Sequence, residues 1–257
     1  MDWMSGVFGG RLIISPDMFS WGWNSSGRLG DGTTTDRHTP TFISANWDKI
    51  NAGFSHSLGL RSDGRLFSWG DNLQGQLGDG TTTARHTPTL IGADTWIAIS
   101  GGENHSLGLR SDGRLFAWGD NLQGQLGDGT ATDRHTPTLI GTDTWIAISG
   151  GWSHSLGIRS DGRLFAWGSN ENGRLGDGTI INRNIPTLIG TDTWTAISGG
   201  GAHSLGLRSD GRLFAWGNNA SGQLGNDSTI SRTTPTLIGA DTWKTITAGV
   251  GHSLGIR

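Results

Sequence analysis

Short stretches of alternating apolar and polar residues run along this chain, separated by clusters rich in Gly, Asn and Asp. Such alternation is typical of β-strands, and Gly, Asn and Asp favour the turns between them. One of these predicted strands contains Pro88, which indicates an edge strand. The unit at residues 69–117 contains four predicted strands, at residues 87–91, 95–100, 105–110 and 114–118. The chain is therefore expected to be all-β.

An Asp-Gly pair, at residues 112–113, separates the third and fourth predicted strands of this unit. Asp-Gly between alternating segments predicts a β-hairpin with a two-residue turn. In that register the small residues Gly108 and Ala117 share one face, because side chains alternate along a strand. The bulky residues of the opposite face are Leu107, Leu109, Phe116 and Trp118. The aromatic face of one unit is expected to pack on the flat face of the next, as in the blades of a propeller.

The same unit returns five times at a nearly constant interval. A His-Ser-Leu-Gly segment recurs every 49 residues, and a Trp-Gly pair recurs every 48 or 49. The segments begin at His56, His105, His154, His203 and His252, and the pairs at Trp21, Trp69, Trp118, Trp167 and Trp216. A fixed period of this length indicates an array of small units that share one core. The predicted fold is a five-bladed β-propeller of four-stranded blades.

The two ends of the sequence suggest how the array closes. The last unit lacks its fourth strand, and residues 17–20, directly before Trp21, can supply it. We therefore expect the N-terminal strand to pair with the C-terminal blade and close the ring, which leaves no exposed sheet edge. Residues 15–257 form the predicted propeller domain, and residues 1–14 an N-terminal extension. Residues 11–14 of this extension also look like a strand, which could cover a blade edge or pair with another subunit.

Composition and charge narrow the classes of function. The hydrophobic content is only 33%, but 13 Trp and 8 Phe can build a core from few residues. The absence of Cys excludes disulfides, thiolate chemistry and Cys-based metal sites. A net charge of −3, with the Arg residues spread by the repeat, argues against nucleic acid as a partner. With neither a membrane span nor a signal peptide in the sequence, we expect a soluble protein, cytoplasmic or virion-associated, of unknown location.

Several motifs of the repeat resemble those of the regulator of chromosome condensation family. In one unit they are Gly102 ahead of His105-Ser106, then Asp112-Gly113, Trp118-Gly119, Asn121 and Gly124-Gln125-Leu126-Gly127. The resemblance covers residues 15–257 and implies a β-propeller. Members of the family usually carry seven repeats, whereas this chain has five. Either five blades close with a wider angle per blade, or an incomplete arc is finished by another chain. The strand that residues 17–20 can supply favours closure.

The resemblance also bears on activity. The best-known activity of the family is guanine-nucleotide exchange on a small GTPase, driven by a wedge-like insertion in the propeller. Every unit here has 48 or 49 residues, which leaves no room for a wedge. Other members of the family are binding scaffolds or sensors, and the fold does not choose between these roles. We expect a protein that is not an enzyme, with no catalytic residue, metal or cofactor.

The five repeated histidines are the residues of the unit most suited to chemistry. They would form a ring, which could bind a metal or respond to protons. The favoured alternative is that each His makes the same structural hydrogen bond inside its blade, since functional sites rarely need every copy alike. The repeated Asp-Gly pairs, such as Asp128-Gly129, lack the alternating ligands of a calcium loop and predict turns.

The fold does not require a particular residue at positions that differ among the repeats. These positions supply the candidate partner-binding residues. Three of them stand two residues before a repeated His, in turns that should meet at one rim of the ring. Three isoleucines could form an apolar patch with Ile185 on the last two blades, and one Trp replaces a polar residue of the sister repeats. The candidates are Trp23, Phe54, Glu103, Trp152, Ile180, Ile181 and Ile230. The alternative for the rim residues is that they cap a neighbouring blade.

The sequence thus predicts a non-catalytic protein-interaction or structural module. Its partner would be another protein or the neighbouring subunits of an assembly, for which a subunit or surface decoration of a virus particle is one example. A lectin-like propeller that binds glycans is an alternative, but it would need the same aromatic and polar set in every blade. A regulator resembling an exchange factor is the least favoured alternative, because the wedge is missing.

Overall fold

The computed structural model describes residues 16–257, and these form antiparallel β-strands with one short 3₁₀ turn. The first nine strands are β1 (Met18–Gly22), β2 (Arg37–Ser44), β3 (Trp47–Ala52), β4 (His56–Arg61), β5 (Arg65–Gly70), β6 (Arg85–Gly101), β7 (His105–Arg110), β8 (Arg114–Gly119) and β9 (Arg134–Gly150). The next eight are β10 (His154–Arg159), β11 (Arg163–Gly168), β12 (Arg183–Gly199), β13 (His203–Arg208), β14 (Arg212–Gly217), β15 (Arg232–Thr242), β16 (Thr245–Ala248) and β17 (Ser253–Ile256). The 3₁₀ turn is Glu171–Gly173. Within this part of the chain, no helix has the length and apolar character needed to cross a membrane. The prediction of an all-β protein is confirmed.

Three long strands join neighbouring sheets. β6, β9 and β12 each contain 17 residues. The first part of β6 pairs with β5 and its last part with β7, and β9 and β12 repeat this pattern. The described residues therefore contain four four-stranded units, which we call blades I to IV. Blade I consists of β3, β4, β5 and the start of β6, and blade II consists of β7, β8, the end of β6 and the start of β9. Blade III consists of β10, β11, the end of β9 and the start of β12, and blade IV consists of β13, β14, β15 and the end of β12.

Two further sheets flank the four blades and contain two strands each. β1 pairs with β2, and β16 pairs with β17. In the repeat, β1 and β2 correspond to the third and fourth strands of a blade, and β16 and β17 to the first and second. No sheet of the described residues is closed, so the five-blade count and the closure through residues 17–20 are not confirmed. Residues 1–14, with their strand-like segment 11–14, lie outside the described residues.

The hairpin between β7 and β8 has a register one residue away from the predicted one. Gly108 lies opposite Phe116 and not opposite Ala117. Gly113 has a φ of +81°, and its backbone N donates to Arg110 O at 2.8 Å. This geometry gives a turn of three residues with Gly in the left-handed position, a turn that Asp-Gly also suits. The predicted two-residue turn is wrong, and so is the predicted grouping of side chains on the two faces.

Each blade has an aliphatic face and an aromatic face, and these faces pack on each other between blades. Between blades II and III, the buried cluster combines Leu107, Leu109, Leu115 and Ile140 with Trp145, Phe165 and Trp167. Equivalent clusters join blade I to blade II and blade III to blade IV. The expected packing of an aromatic face on a flat face is therefore wrong. The apolar area that these clusters remove from water is the main source of stability in such a fold.

Candidate partner-binding face

The repeated histidines bind one blade to the next. His105 Nε2 of blade II lies 2.9 Å from Ser155 Oγ of blade III, and Ser155 Oγ donates to Gln125 O at 2.7 Å. A hydroxyl has one proton, so the His105 Nε2–H must donate to Ser155 and Nδ1 carries no proton. The predicted hydrogen bond inside the blade is wrong, since it joins two blades. Equivalent pairs are His56–Ser106 at 2.8 Å, His154–Ser204 at 3.0 Å and His203–Ser253 at 2.9 Å.

Burial keeps these histidines neutral. It lowers the pKa of His56 to about 4 and that of His105 to about 3, and repulsion from Arg28 for His56 and from a protonated His56 for His105 adds to the effect. The pKa values of His154 and His203 are lowered for the same main reason. Among residues 16–257, no three His, Asp or Glu side chains gather in a way that could hold a metal ion. These residues therefore act as a rigid frame for the turns that precede them.

Those turns are bonded to each other and form one face of the molecule, which we call the turn face. Phe54 N donates to Gly102 O at 3.1 Å, and Trp152 N donates to Gly200 O at 3.2 Å. The turn face consists of residues 53–55, 102–104, 151–153, 200–202 and 249–251. Because backbone bonds run from blade to blade, a side chain on this face has a position fixed by the whole array.

Phe54 and Trp152 come from blades I and III and contact each other on the turn face. Their ring centroids lie 6.4 Å apart, with an interplanar angle of 78°. Phe54 is 50% exposed and Trp152 is 38% exposed, so neither is buried against a neighbouring blade. A shallow depression of about 250 Å³ lies beside them, lined by both rings, by the repeated glycines and by Val250. The structure thus brings two of the predicted residues into one aromatic pair.

Glu103 lies between the two aromatic residues in the series of turns, on blade II. Its backbone N donates to Trp152 O at 3.2 Å. Burial raises the pKa of the Glu103 carboxyl, and the negative charge of Asp120 adds to this. The turn face therefore combines an exposed aromatic pair with a half-buried carboxylate.

Trp23 is connected to this pair through an arginine. The Arg28 guanidinium lies 3.8 Å from the centroid of the Trp23 ring, and Arg28 Nη1 donates to Phe54 O at 3.0 Å. Trp23 is 57% exposed. The predicted residues Trp23, Phe54 and Trp152 therefore form a continuous series across the face.

The predicted isoleucines are exposed and lie in the loops of two different blades. Ile180 lines a cleft together with Trp152, next to the turn face. Ile181 and Ile230 occupy equivalent positions before β12 and β15, in different blades, and their backbone carbonyls accept from Asn170 and Asn219. Only Ile180 therefore adjoins the aromatic pair in the described contacts.

Arg174 is a residue of this face that the sequence analysis missed. It lines the cleft of about 700 Å³ that also contains Trp152, Ile180 and Asn182. Its side chain is only 6% exposed, and burial lowers the pKa of its guanidinium while Glu171 opposes that effect. Three sister repeats carry Gln at this position, so the comparison between repeats that singled out Trp152 could also have found Arg174.

The stacked four-stranded sheets and the regular contacts between them define a repeat domain of the β-propeller type. A family model for the RCC1-like domain matches residues 12–255, and the chain belongs to this family. The resemblance noted from the sequence is confirmed. No curated protein matches this sequence.

Solved structures share this fold at low sequence identity. Human WBSCR16 is 24% identical with a TM-score of 0.84, over 92% of this chain and 66% of that one. Prp20p from Saccharomyces cerevisiae is 22% identical with a TM-score of 0.83, over 94% of this chain and 65% of that one. This chain spans about two thirds of the length of these structures. At such identities, the likeness shows the fold alone.

Proposed function

We propose that this protein is a non-catalytic protein-interaction module and that its partner binds the turn face around Phe54 and Trp152. The observation that carries this proposal is the contact between two exposed aromatic rings from blades that are not neighbours. Exposed aromatic residues held in a fixed arrangement are typical of the centre of a protein interface.

The fold does not require aromatic residues at these positions. The equivalent residues of the sister repeats are Glu103, Gly201 and Val250, and Glu103 N and Gly201 N make the same kind of backbone hydrogen bond. The Phe54 and Trp152 side chains are therefore additions to a scaffold that forms without them. Stabilisation of the blade does not explain two rings that remain more than a third exposed.

Related structures support a protein as the partner. The structure of Prp20p was described with its binding to Gsp1p and histones, and another reports Kap60 bound to yeast RCC1 (Prp20). We do not extend exchange activity to this chain, because its units of 48 or 49 residues leave no room for a wedge. A role in a virus particle has no support from these relatives, and we do not propose it.

Glycan binding is disfavoured by where the repeated tryptophans lie. A sugar site in every blade needs an exposed aromatic residue in every blade. Of the tryptophans that recur at the same position, Trp69, Trp118, Trp167 and Trp216 are buried, and Trp21 of β1 is exposed. The exposed Phe54 and Trp152 occur once each, which favours a single partner surface.

We further propose that the two half-sheets at the ends complete one another as the fifth blade of a ring, with residues 15–257 as a single domain. This proposal is supported by exposed residues whose counterparts are buried. Leu254 of β17 is 61% exposed and Phe19 of β1 is 45% exposed. Their counterparts in blade III, Leu156 and Phe165, are 0% and 9% exposed. Pairing β17 with β1 would cover this apolar surface.

A phage-displayed library of random dodecamer peptides tests the interaction proposal. The wild-type protein should select peptides whose binding weakens roughly tenfold or more with Phe54→Ala or Trp152→Ala, the loss expected at an interface centre. Thermal stability should stay within about 0.5 kcal/mol, as for other surface changes. Ile146→Ala is the matched control, because Ile146 is 60% exposed and lies within β9, outside the turn face. Lost stability with unchanged peptide binding would refute the proposal.

A further inference from the structure

Arg174 occupies a position at which three sister repeats carry a neutral amide and the first repeat carries Arg28. In blade II the equivalent residue is Gln125, whose Oε1 accepts from Gln123 N at 2.9 Å and so holds its own loop together. Gln76 and Gln223 accept from the backbone in the same way, at 3.0 and 2.9 Å. A guanidinium has no acceptor and cannot make this bond, yet the loop of Arg174 keeps the turn bond from Gly173 N to Asn170 O at 2.9 Å. Arg174 is a departure that local structure does not demand.

The contacts of Arg174 leave its charge weakly compensated. Its Nε donates to Glu171 O at 3.0 Å, and its Nη1 donates to Gly201 O at 3.4 Å. Its ion pair is to Glu171 Oε2, at 3.4 Å from Nη2, and the Glu171 side chain is 81% exposed. By comparison, Arg183 Nη2 lies 2.6 Å from an Asp177 carboxylate that is only 5% exposed. A buried guanidinium with one distant, solvated partner is an unusual arrangement for a purely structural residue.

The Arg174 guanidinium also has N–H groups that do not donate a hydrogen bond to any described residue. It carries five N–H groups, and the described residues engage one on each of its three nitrogens. One N–H on Nη1 and one on Nη2 remain, and Arg174 lines the cleft of about 700 Å³. A pair of parallel N–H groups matches the two oxygens of a carboxylate.

The rest of the cleft adds apolar and amide surface. Trp152 and Ile180 line it and are 38% and 68% exposed. Asn182 Nδ2 donates to Gln123 Oε1 at 2.7 Å, which fixes the amide at the cleft wall. A ligand that reaches Arg174 would therefore place its neighbouring atoms against an aromatic ring and an aliphatic side chain.

From these contacts we infer that the Arg174 cleft binds an acidic side chain of the partner, an Asp or Glu with an apolar residue next to it. The inference rests on the proposed interaction function and deepens it. The carboxylate would take the two remaining N–H groups of Arg174, and the apolar residue would pack on Trp152 and Ile180. Glu171 already presents a carboxylate to this guanidinium, and its exposure makes it easy to displace. A doubly charged phosphate fits less well, since one cation stands here beside an acidic residue.

Arg174→Gln is the variant of choice, because three sister repeats fold with Gln at this position. Peptides selected from the dodecamer library by the wild-type protein should be enriched in Asp or Glu beside an aromatic or aliphatic residue. Selection with Arg174→Gln should lose the acidic enrichment and keep the apolar one. A melting curve within a few degrees of wild type confirms that the variant is folded.

A double-mutant cycle on the strongest selected peptide gives the quantitative test. Replacing its acidic residue by the amide should weaken binding to the wild type roughly tenfold or more, the usual loss for a hydrogen bond to a charged group. The same replacement should change binding to Arg174→Gln little, because the partner of the carboxylate is gone. Glu171→Gln removes the competing carboxylate and should tighten binding of the acidic peptide severalfold.

The outcomes separate this inference from the function on which it rests. Peptides that depend on Phe54 and Trp152 but show no acidic preference would refute the Arg174 subsite and leave the interaction face intact. An acidic preference that persists with Arg174→Gln would also refute the subsite. Peptides insensitive to Phe54 and Trp152, or no selected peptide at all, would contradict both proposals.

Discussion

The Trp145 ring packs against Gly157 in the sheet of blade III, so close that no side chain fits between them. A Cβ at Gly157 would lie 2.8 Å from Cε3 of Trp145 and 3.2 Å from the Trp167 ring. The same relationship joins Trp96 to Gly108 and Trp194 to Gly206. The Gly of His-Ser-Leu-Gly therefore leaves the space that a Trp ring occupies. That ring forms part of the aromatic surface on which the preceding blade packs.

Gly157→Ala should therefore destabilise the protein by about 1–3 kcal/mol, the usual cost of overpacking a core. Gly251→Ala is the matched control, since a Cβ there meets nothing within 4 Å. Chemical denaturation followed by Trp fluorescence measures the difference in the free energy of unfolding. Equal stability of the two variants would show that the Trp145 ring can move aside.

The repeat made the array and its strands predictable, because apolar alternation and turn residues act over a few neighbouring positions. The three predicted strands at residues 95–100, 105–110 and 114–118 correspond to the end of β6, to β7 and to β8. The hairpin register was not predictable in this way. Asp-Gly suits both a two-residue turn and the three-residue turn found here, and the choice depends on packing of the whole sheet.

The contacts between blades join residues that are far apart in the sequence, so local patterns do not predict them. The hydrogen bond between His105 and Ser155 joins residues 50 positions apart, and nothing in either segment identifies the other as its partner. For the candidate site, the period alone placed Phe54 and Trp152 on one face. Their contact depends on the curvature of the array, which the sequence does not encode locally. Arg174 could have been found from the sequence, since three sister repeats carry Gln at its position.

Ser155→Ala should cost about 1–3 kcal/mol of stability, the usual penalty for leaving buried polar groups without partners. The change leaves both the Nε2–H of His105 and the carbonyl of Gln125 unpaired at a blade interface. Ser160→Ala is the control, because its hydroxyl bonds to Thr144 on the exposed surface and should matter little. The free energies of unfolding of the two variants, measured at neutral pH, give this comparison. A loss for Ser160→Ala as large as that for Ser155→Ala would contradict the role of the buried bond.

Acid should weaken the protein before its carboxylates titrate. In the unfolded chain His takes up a proton near pH 6.5, whereas in the fold His56 and His105 do so only at about 4 and about 3. Between these values the unfolded state binds more protons, so stability falls as pH falls, by up to about 1.4 kcal/mol per pH unit for each such His. The stabilisation is complete above pH 6.5.

The Asp112 carboxylate acts in a separate range of pH. The pKa of Asp112 is lowered to about 2, mainly by its hydrogen bond from Arg110, so its contribution is lost only below its ordinary value of 3.8. Urea titrations at pH 7, 5.5 and 4.5 should therefore show a steady fall in the free energy of unfolding that comes from histidines. His105→Gln should reduce the slope. A flat profile from pH 7 to 4.5 would contradict the buried neutral state of these rings.

A disulfide can test whether β17 pairs with β1, since the chain contains no Cys of its own. In blade III, Leu156 lies opposite Ala166, and the repeat places Leu254 opposite Ser20 in the same way. Facing residues of paired strands lie within reach of a disulfide. Ser20→Cys with Leu254→Cys should therefore cross-link within one chain on mild oxidation, independently of protein concentration. Leu156→Cys with Ala166→Cys is the positive control, and Ser20→Cys with Ile256→Cys, which is out of register, is the negative one. Cross-links that form only between chains, or free thiols in the test pair alone, would show that five units do not close on themselves.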